Sequence, residues 1–151
     1  MKNERGFSLM ELIIVIAIIA VFSSILGLSL SYISSTNSKT AKSKIVNALD
    51  NTKMIATAKS TGGDITFSQE NGKYYYKIGT EDKVAICNAV VGLSYSTDNS
   101  NYTHIDDGDT YNIQFKKATG GLNSSSNIYI KIGKYTICVY QLTGKVEVIG
   151  L

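Results

Sequence analysis

The sequence predicts an α+β fold, in which a long N-terminal α-helix is packed on a C-terminal domain rich in antiparallel β-strands. Three observations predict it. Leu12 to Phe22 form an apolar run without one polar side chain. Ala41, Ile45, Ala48, Leu49, Thr52, Ile55, Ala56 and Lys59 then step by three and four, the spacing of one helix face. Beyond Gly63 apolar residues recur at every second position, the period of a half-buried strand.

The helix comes first. From Phe7 to Ile33 it would measure about 40 Å, enough to cross a hydrocarbon layer of about 30 Å. This half therefore reads as transmembrane. Glu11 stands at the head of the apolar run. A carboxylate in hydrocarbon costs roughly 2.5–3.5 kcal/mol on the milder scales, so its presence there calls for a partner group. The chain has no proline. Ser23, Ser24, Gly27, Ser29 and Ser31 supply what local looseness or close helix approach the span has. The stripe from Ala41 to Lys59 makes the following half amphipathic, with its apolar face expected on a sheet. Gly62-Gly63 is a stop signal, so a single helix runs from about Phe7 to Ser60.

The strands follow. Ile65, Phe67 and Gln69 alternate with Thr66 and Ser68, and Asn71-Gly72 is a strong hairpin signal before Tyr74 to Ile78. Val84 to Val91 reads as a largely apolar strand that Leu93 to Ser96 extends. Tyr95 to Asp109 is a polar loop. Tyr111, Ile113 and Phe115 form a half-buried strand, and Ala118 to Asn127 a Gly/Ser/Asn loop. Ile128 to Ile132, Tyr135 to Leu142 and Lys145 to Ile149 are joined by short turns at Gly133-Lys134 and Thr143-Gly144, which predicts an antiparallel meander.

Composition excludes some functions. The net charge of +3 is too small for a nucleic-acid-scale basic field. The basic bias is local, in five lysines between Lys39 and Lys59 set against Asp50 alone. One histidine, His104, lies in a polar loop, and neither a nucleophile constellation nor metal-ligand spacing is present, so no catalysis, cofactor or metal is expected. Asp98, Asn99, Asn101, Asp106, Asp107 and Asp109 offer oxygen atoms of the kind calcium takes. They lack the spacing of a recognised calcium loop, and turn chemistry explains them as well. Cys87 and Cys138 are the only cysteines. Either they form a disulfide, closing a loop of about 50 residues worth roughly 4 kcal/mol in the chain-entropy model, or both are free thiols.

Residues 6 to 11, Gly-Phe-Ser-Leu-Met-Glu, with the apolar run behind them, resemble the class III signal of type IV prepilins. The resemblance implies that a prepilin peptidase cuts between Gly6 and Phe7 and that Phe7 is then N-methylated. It further implies that Glu11, about one turn on, pairs with the N-terminal ammonium of a neighbouring subunit in the filament. Two lysines or arginines before the span and three soon after it do not orient the chain. The family's short cytosolic leader does. The resulting organisation is a leader at 1–6, a transmembrane and filament-core helix at 7–33, an amphipathic helix at 34–61 and a β-rich pilin domain at 62–151.

A second resemblance lies in the C-terminal part. Ile113-Gln-Phe115, Ile128-Tyr-Ile130 and Thr143-Gly-Lys-Val-Glu-Val148 look like the ending of H-type pseudopilins and FimT-like minor pilins. DNA-binding members of that group carry two arginines in the closing element, where this chain has Lys145 and Glu147. The expected role is a structural subunit of a type IV pilus or related filament, a minor pilin or pseudopilin. Its partners would be the prepilin peptidase, other pilin or pseudopilin subunits, the inner-membrane assembly platform and membrane lipid. It would reside in the cytoplasmic membrane with a single pass, then in an extracellular or periplasmic filament. The alternatives are a major pilin, or an adhesive or DNA-uptake pilin using Lys116, Lys117 and Lys145.

Overall fold

A computed structural model describes the backbone of residues 9–58 and 63–150, with side chains described at 9–23, 35–58 and 63–150. The chain divides into two compact units, Met1–Ser34 and Ser35–Leu151, and the helix α1 (Leu9–Ala58) contributes to both. The expected helix boundaries at Phe7 and Ser60, and the stop at Gly62, lie outside the described residues.

In the first unit the described side chains from Leu9 to Phe22 are largely exposed, Leu12 at 60% and Phe22 at 63%. Among the described residues no helix is long and apolar enough to cross a membrane. The described apolar run explains why. Leu12 to Phe22 spans about 16 Å of helix against a hydrocarbon layer of about 30 Å. The remainder of the expected span, through Ile33, has no described side chains.

The second unit holds the α+β body. The stripe read from the sequence is its central seam: Ala41, Ile45, Leu49 and Thr52 are fully buried, with Ala48 and Ala56 nearly so. Thr52 keeps its hydroxyl satisfied there by donating to the Ala48 carbonyl at 2.7 Å.

Among the described residues nine strands follow: β1 (Asp64–Glu70), β2 (Lys73–Ile78), β3 (Val84–Asn88), β4 (Leu93–Ser96), β5 (Thr103–His104), β6 (Thr110–Gln114), β7 (Ile128–Ile132), β8 (Tyr135–Val139) and β9 (Val146–Gly150). They make two antiparallel sheets, ordered β3-β2-β1-β6 and β5-β4-β7-β8-β9. The β1–β2 hairpin closes through Asn71 and Gly72, with φ of 51° and 70°, the left-handed pair that a two-residue turn requires. Ile65, Phe67 and Ile113 from the first sheet, with Phe115 just beyond β6, join Leu93, Ile130, Ile132, Ile137 and Val139 from the second in one core with the α1 stripe.

Two expectations change. Val84 to Val91 is not one strand. β3 stops at Asn88, a 3-10 turn occupies Ala89–Val91, and Gly92 at φ 71° redirects the chain into the second sheet. The polar loop after Tyr95 also contains a strand, β5, which pairs Thr103 with Tyr95 and His104 with Ser94. The expected meander is present as β7-β8-β9, though β8 ends at Val139.

Candidate functional site

Gly6 and Phe7 lie outside the described residues. Glu11 is in the first turn of α1 and is exposed. A carboxylate there also meets the positive end of the helix dipole. The exposed apolar surface of Leu12, Ile13, Ile16, Ile19 and Phe22 follows directly. Chemically this is a surface that demands an apolar cover.

No disulfide joins the two cysteines in the structure; both are free. Cys87, on β3, is partly buried and packs against the core. Cys138, on β8, alternates with the core residues Ile137 and Val139, and so belongs to the opposite face of its sheet, beside Tyr129 and Glu147. Burial pushes the Cys87 thiol up to about 11, opposed by the nearby Lys44 ammonium. It raises Cys138 as well, opposed by a hydrogen bond from Tyr129.

Lys116, Lys117 and Lys145 are brought to one end of the second unit. The Lys116–Gly121 loop closes with Lys116 N donating to the Gly121 carbonyl at 2.6 Å and Gly120 N donating to the Lys116 carbonyl at 3.0 Å. It abuts the 141–145 turn, where Gly144 at φ 59° leaves no room for a Cβ beside the Gly120 carbonyl. Lys145 is nevertheless engaged, its Nζ 3.1 Å from Glu147 Oε2 and 5.9 Å from the Tyr140 ring centroid. That ion pair holds Glu147 below the ordinary carboxylate range, assisted by Tyr140. Glu147 thus offsets the one cation of the closing element.

The acidic loop behaves as turn chemistry. Asp98 Oδ1 accepts from the Ser96 hydroxyl at 2.7 Å and the Ser100 and Asn101 amides at 2.9 and 3.0 Å, while Oδ2 accepts from Asn101 Nδ2 at 2.9 Å. These bonds, the Ser96 hydroxyl first, hold Asp98 well below the usual range. Asp109 Oδ2 accepts from the Asp106 amide at 3.3 Å. Among the described residues no group of three or more His, Cys, Asp or Glu could hold a metal ion.

Sequence reasoning missed two arrangements, one made across the two sheets and one within a strand pair. Tyr95 of β4 stacks on Tyr111 of β6, ring centroids 3.5 Å apart at 14°, across the two sheets. Burial first, and Tyr95 second, push Tyr111 up to about 12. His104 meets Ser94, its Nδ1 3.2 Å from the hydroxyl. The polar loop hid that pair, since only the β4–β5 register places the two side by side.

Residues 1–27 match the prokaryotic N-terminal methylation motif. Nothing matches the chain among curated proteins or among solved structures. The motif is a class III signal, and at the head of an apolar helix it supports a type IV pilin-like prepilin.

Proposed function

We propose that the chain is a structural subunit of a type IV pilus or related pseudopilus. In this reading it is cut between Gly6 and Phe7 by a prepilin peptidase and N-methylated at Phe7. It is held in the cytoplasmic membrane by its first helical half, then packed with other subunits into a filament. The observation that carries the reading is the N-terminal methylation motif at residues 1–27. The exposed apolar side chains from Leu9 to Phe22 support it, since a bilayer or neighbouring helices would cover them.

Glu11 is the assembly residue. Its carboxylate would pair with the N-terminal ammonium of a neighbour, each charge neutralising one that is costly in an apolar filament core. Glu11→Gln should leave membrane insertion intact and reduce incorporation into filaments; normal incorporation would remove the pairing. The C-terminal pattern at 143–148 favours a minor pilin or pseudopilin over a major pilin. Quantifying the protein in sheared surface filaments and in membranes tests this. Traces in filaments fit a minor pilin, abundance means a major one, and absence means a pseudopilin. The DNA-binding alternative rests on Lys116 and Lys117, which are exposed and share one end with Lys145. It requires that DNA be retarded by the protein and released when those three lysines are replaced.

A further inference from the structure

The end of the second unit at which its helical stretch begins has a composition of its own. Val90, the middle residue of the 3-10 turn, is 92% exposed. The turn sits against the start of the unit's helix. A Cβ added at Gly133, in the β7–β8 turn, would stand 2.5 Å from Ser38 Oγ and 3.4 Å from Val91 Cγ1. Gly133 N also donates to the Gly92 carbonyl at 3.4 Å. Ser38 follows Ile33 by five residues, at most about 18 Å of chain even when fully extended.

Cations gather at this end. Lys42 and Lys134 place their Nζ atoms 5.0 and 5.4 Å from the Tyr135 ring centroid, and Lys39 is exposed on the same stretch of helix. Behind the Val90 turn lies a cavity of about 170 Å³ lined by Ser94, Tyr102, His104 and Lys131 with Val91 and the two turn glycines. Its polar lining holds one ammonium, one imidazole and two hydroxyls, and no carboxylate. Lys131 Nζ stands 5.5 Å from the Tyr102 ring centroid. Asp98, the carboxylate that acts electrostatically on Tyr102, already has its oxygens taken by its own turn. The ion pairs among the described residues, Lys83–Glu70 and Lys145–Glu147, use none of these lysines. The cavity is smaller than the roughly 300–1,000 Å³ of drug-sized ligand sites and suits a single small anionic group.

We propose that this surface docks the domain onto anionic phospholipid: the cavity takes a headgroup phosphate while Val90 enters the interface. Charge complementarity and the short tether to the anchor name the occupant. The opposite end of the unit, where Gly63 stands against Ala56 and the Phe115 carbonyl beside Lys116 and Lys117, lies about 27 Å along the helix from Ser38, at 1.5 Å per residue from Ser38 to Ala56. The proposal rests on the reading of the first helical half as a membrane anchor, and the test separates the two.

The chain lacks tryptophan, so Val90→Trp introduces a single indole reporter. The full chain carrying V90W is reconstituted into vesicles of brominated phosphatidylcholine, with and without phosphatidylglycerol. Flotation reads the anchor, and quenching of the indole by the brominated chains reads docking. Phosphatidylglycerol should increase quenching, and Lys131→Ala and Lys134→Ala should each lower the docked-to-free ratio about fivefold, as expected for a lysine at an anionic surface. Lys116→Ala with Lys117→Ala removes the same charge from the far end and should change nothing. Circular dichroism confirms that each variant is folded. Failure to float in any vesicle overturns anchoring and docking together. Flotation with an unquenched indole, or quenching equal in both lipids, overturns docking alone. Release of the indole by inorganic phosphate, and not by chloride of equal ionic strength, assigns the cavity to a soluble anion and overturns the lipid proposal.

Discussion

Cys87 offers the sharpest check on the second unit, because its chemistry depends on both its redox state and its surroundings. The perturbation is alkylation of the native protein with iodoacetamide in a Cys138→Ser variant, so that Cys87 reacts alone. Its thiol is raised from 9.0 to about 11, chiefly by burial. Only the thiolate attacks, and each pKa unit is a tenfold change in its population, so two units predict alkylation about a hundredfold slower than in the unfolded chain. The rate should keep rising with pH through 9.0 without an inflection there. Stability carries the same signature. A raised folded-state pKa contributes stability that is fully present below 9.0 and is lost as pH climbs through about 11. Lys44, whose Nζ donates to the Ala85 carbonyl at 2.8 Å and the Ile86 carbonyl at 3.3 Å, pulls the other way, so Lys44→Met should slow the reaction further. Mass spectrometry follows the label. Alkylation at the unfolded rate would refute the burial argument. The absence of two titratable thiols in the denatured wild-type protein would refute free cysteines altogether.

Three further outcomes test the packing. Leu49→Ala removes a fully buried side chain from the α1 stripe and should cost about 3 kcal/mol in chemical denaturation, as for comparable core leucines. Gly144→Ala puts a Cβ at φ 59° against the Gly120 carbonyl and should lower stability by at least about 1 kcal/mol, read as a lower midpoint at unchanged slope. Asp98 is held below its ordinary 3.8, so its contribution is present above 3.8 and is lost as pH falls beneath it. An acid titration of Asp98→Asn should therefore show a shallower loss of stability than the wild type below 3.8.

What the sequence revealed was whatever one segment decides by itself. The stripe from Ala41 to Ala56 was legible because a helix face repeats every 3.6 residues whatever it packs against. The β1–β2 hairpin was legible because Asn71-Gly72 satisfies the left-handed turn locally. The methylation motif was legible for the same reason, since its residues are contiguous. Long-range pairing was not. Val84 to Val91 is apolar throughout, and only the need to pass from one sheet to the other breaks it at Asn88. β6 pairs with β1, more than forty residues away in register at Asn112 and Thr66, rather than with the strand that follows it. Glu147 was legible as a departure from the two-arginine pattern, but its ion pair with Lys145 was visible only in the structure. Ser94, His104 and Lys131 come together only through the β5–β4–β7 register.

The two-sheet arrangement also explains why the amphipathic half of α1 is inseparable from the domain. Each sheet buries one face, and those inner faces meet on Ile45, Leu49 and Thr52, all fully buried. Without that stretch Ile65, Ile113, Leu93 and Ile130 would lose their cover, at about 25 cal/mol for each Å² of apolar surface returned to water. The helical stretch 35–58 and both sheets accordingly form one compact unit. Displacing residues 35–58 along the chain axis therefore carries the whole core with them, because the alternative is to expose it. The proposed function, storage in a membrane followed by entry into a filament, would need that property. The chain supplies it through packing, with no disulfide joining Cys87 to Cys138 and no metal site among the described residues.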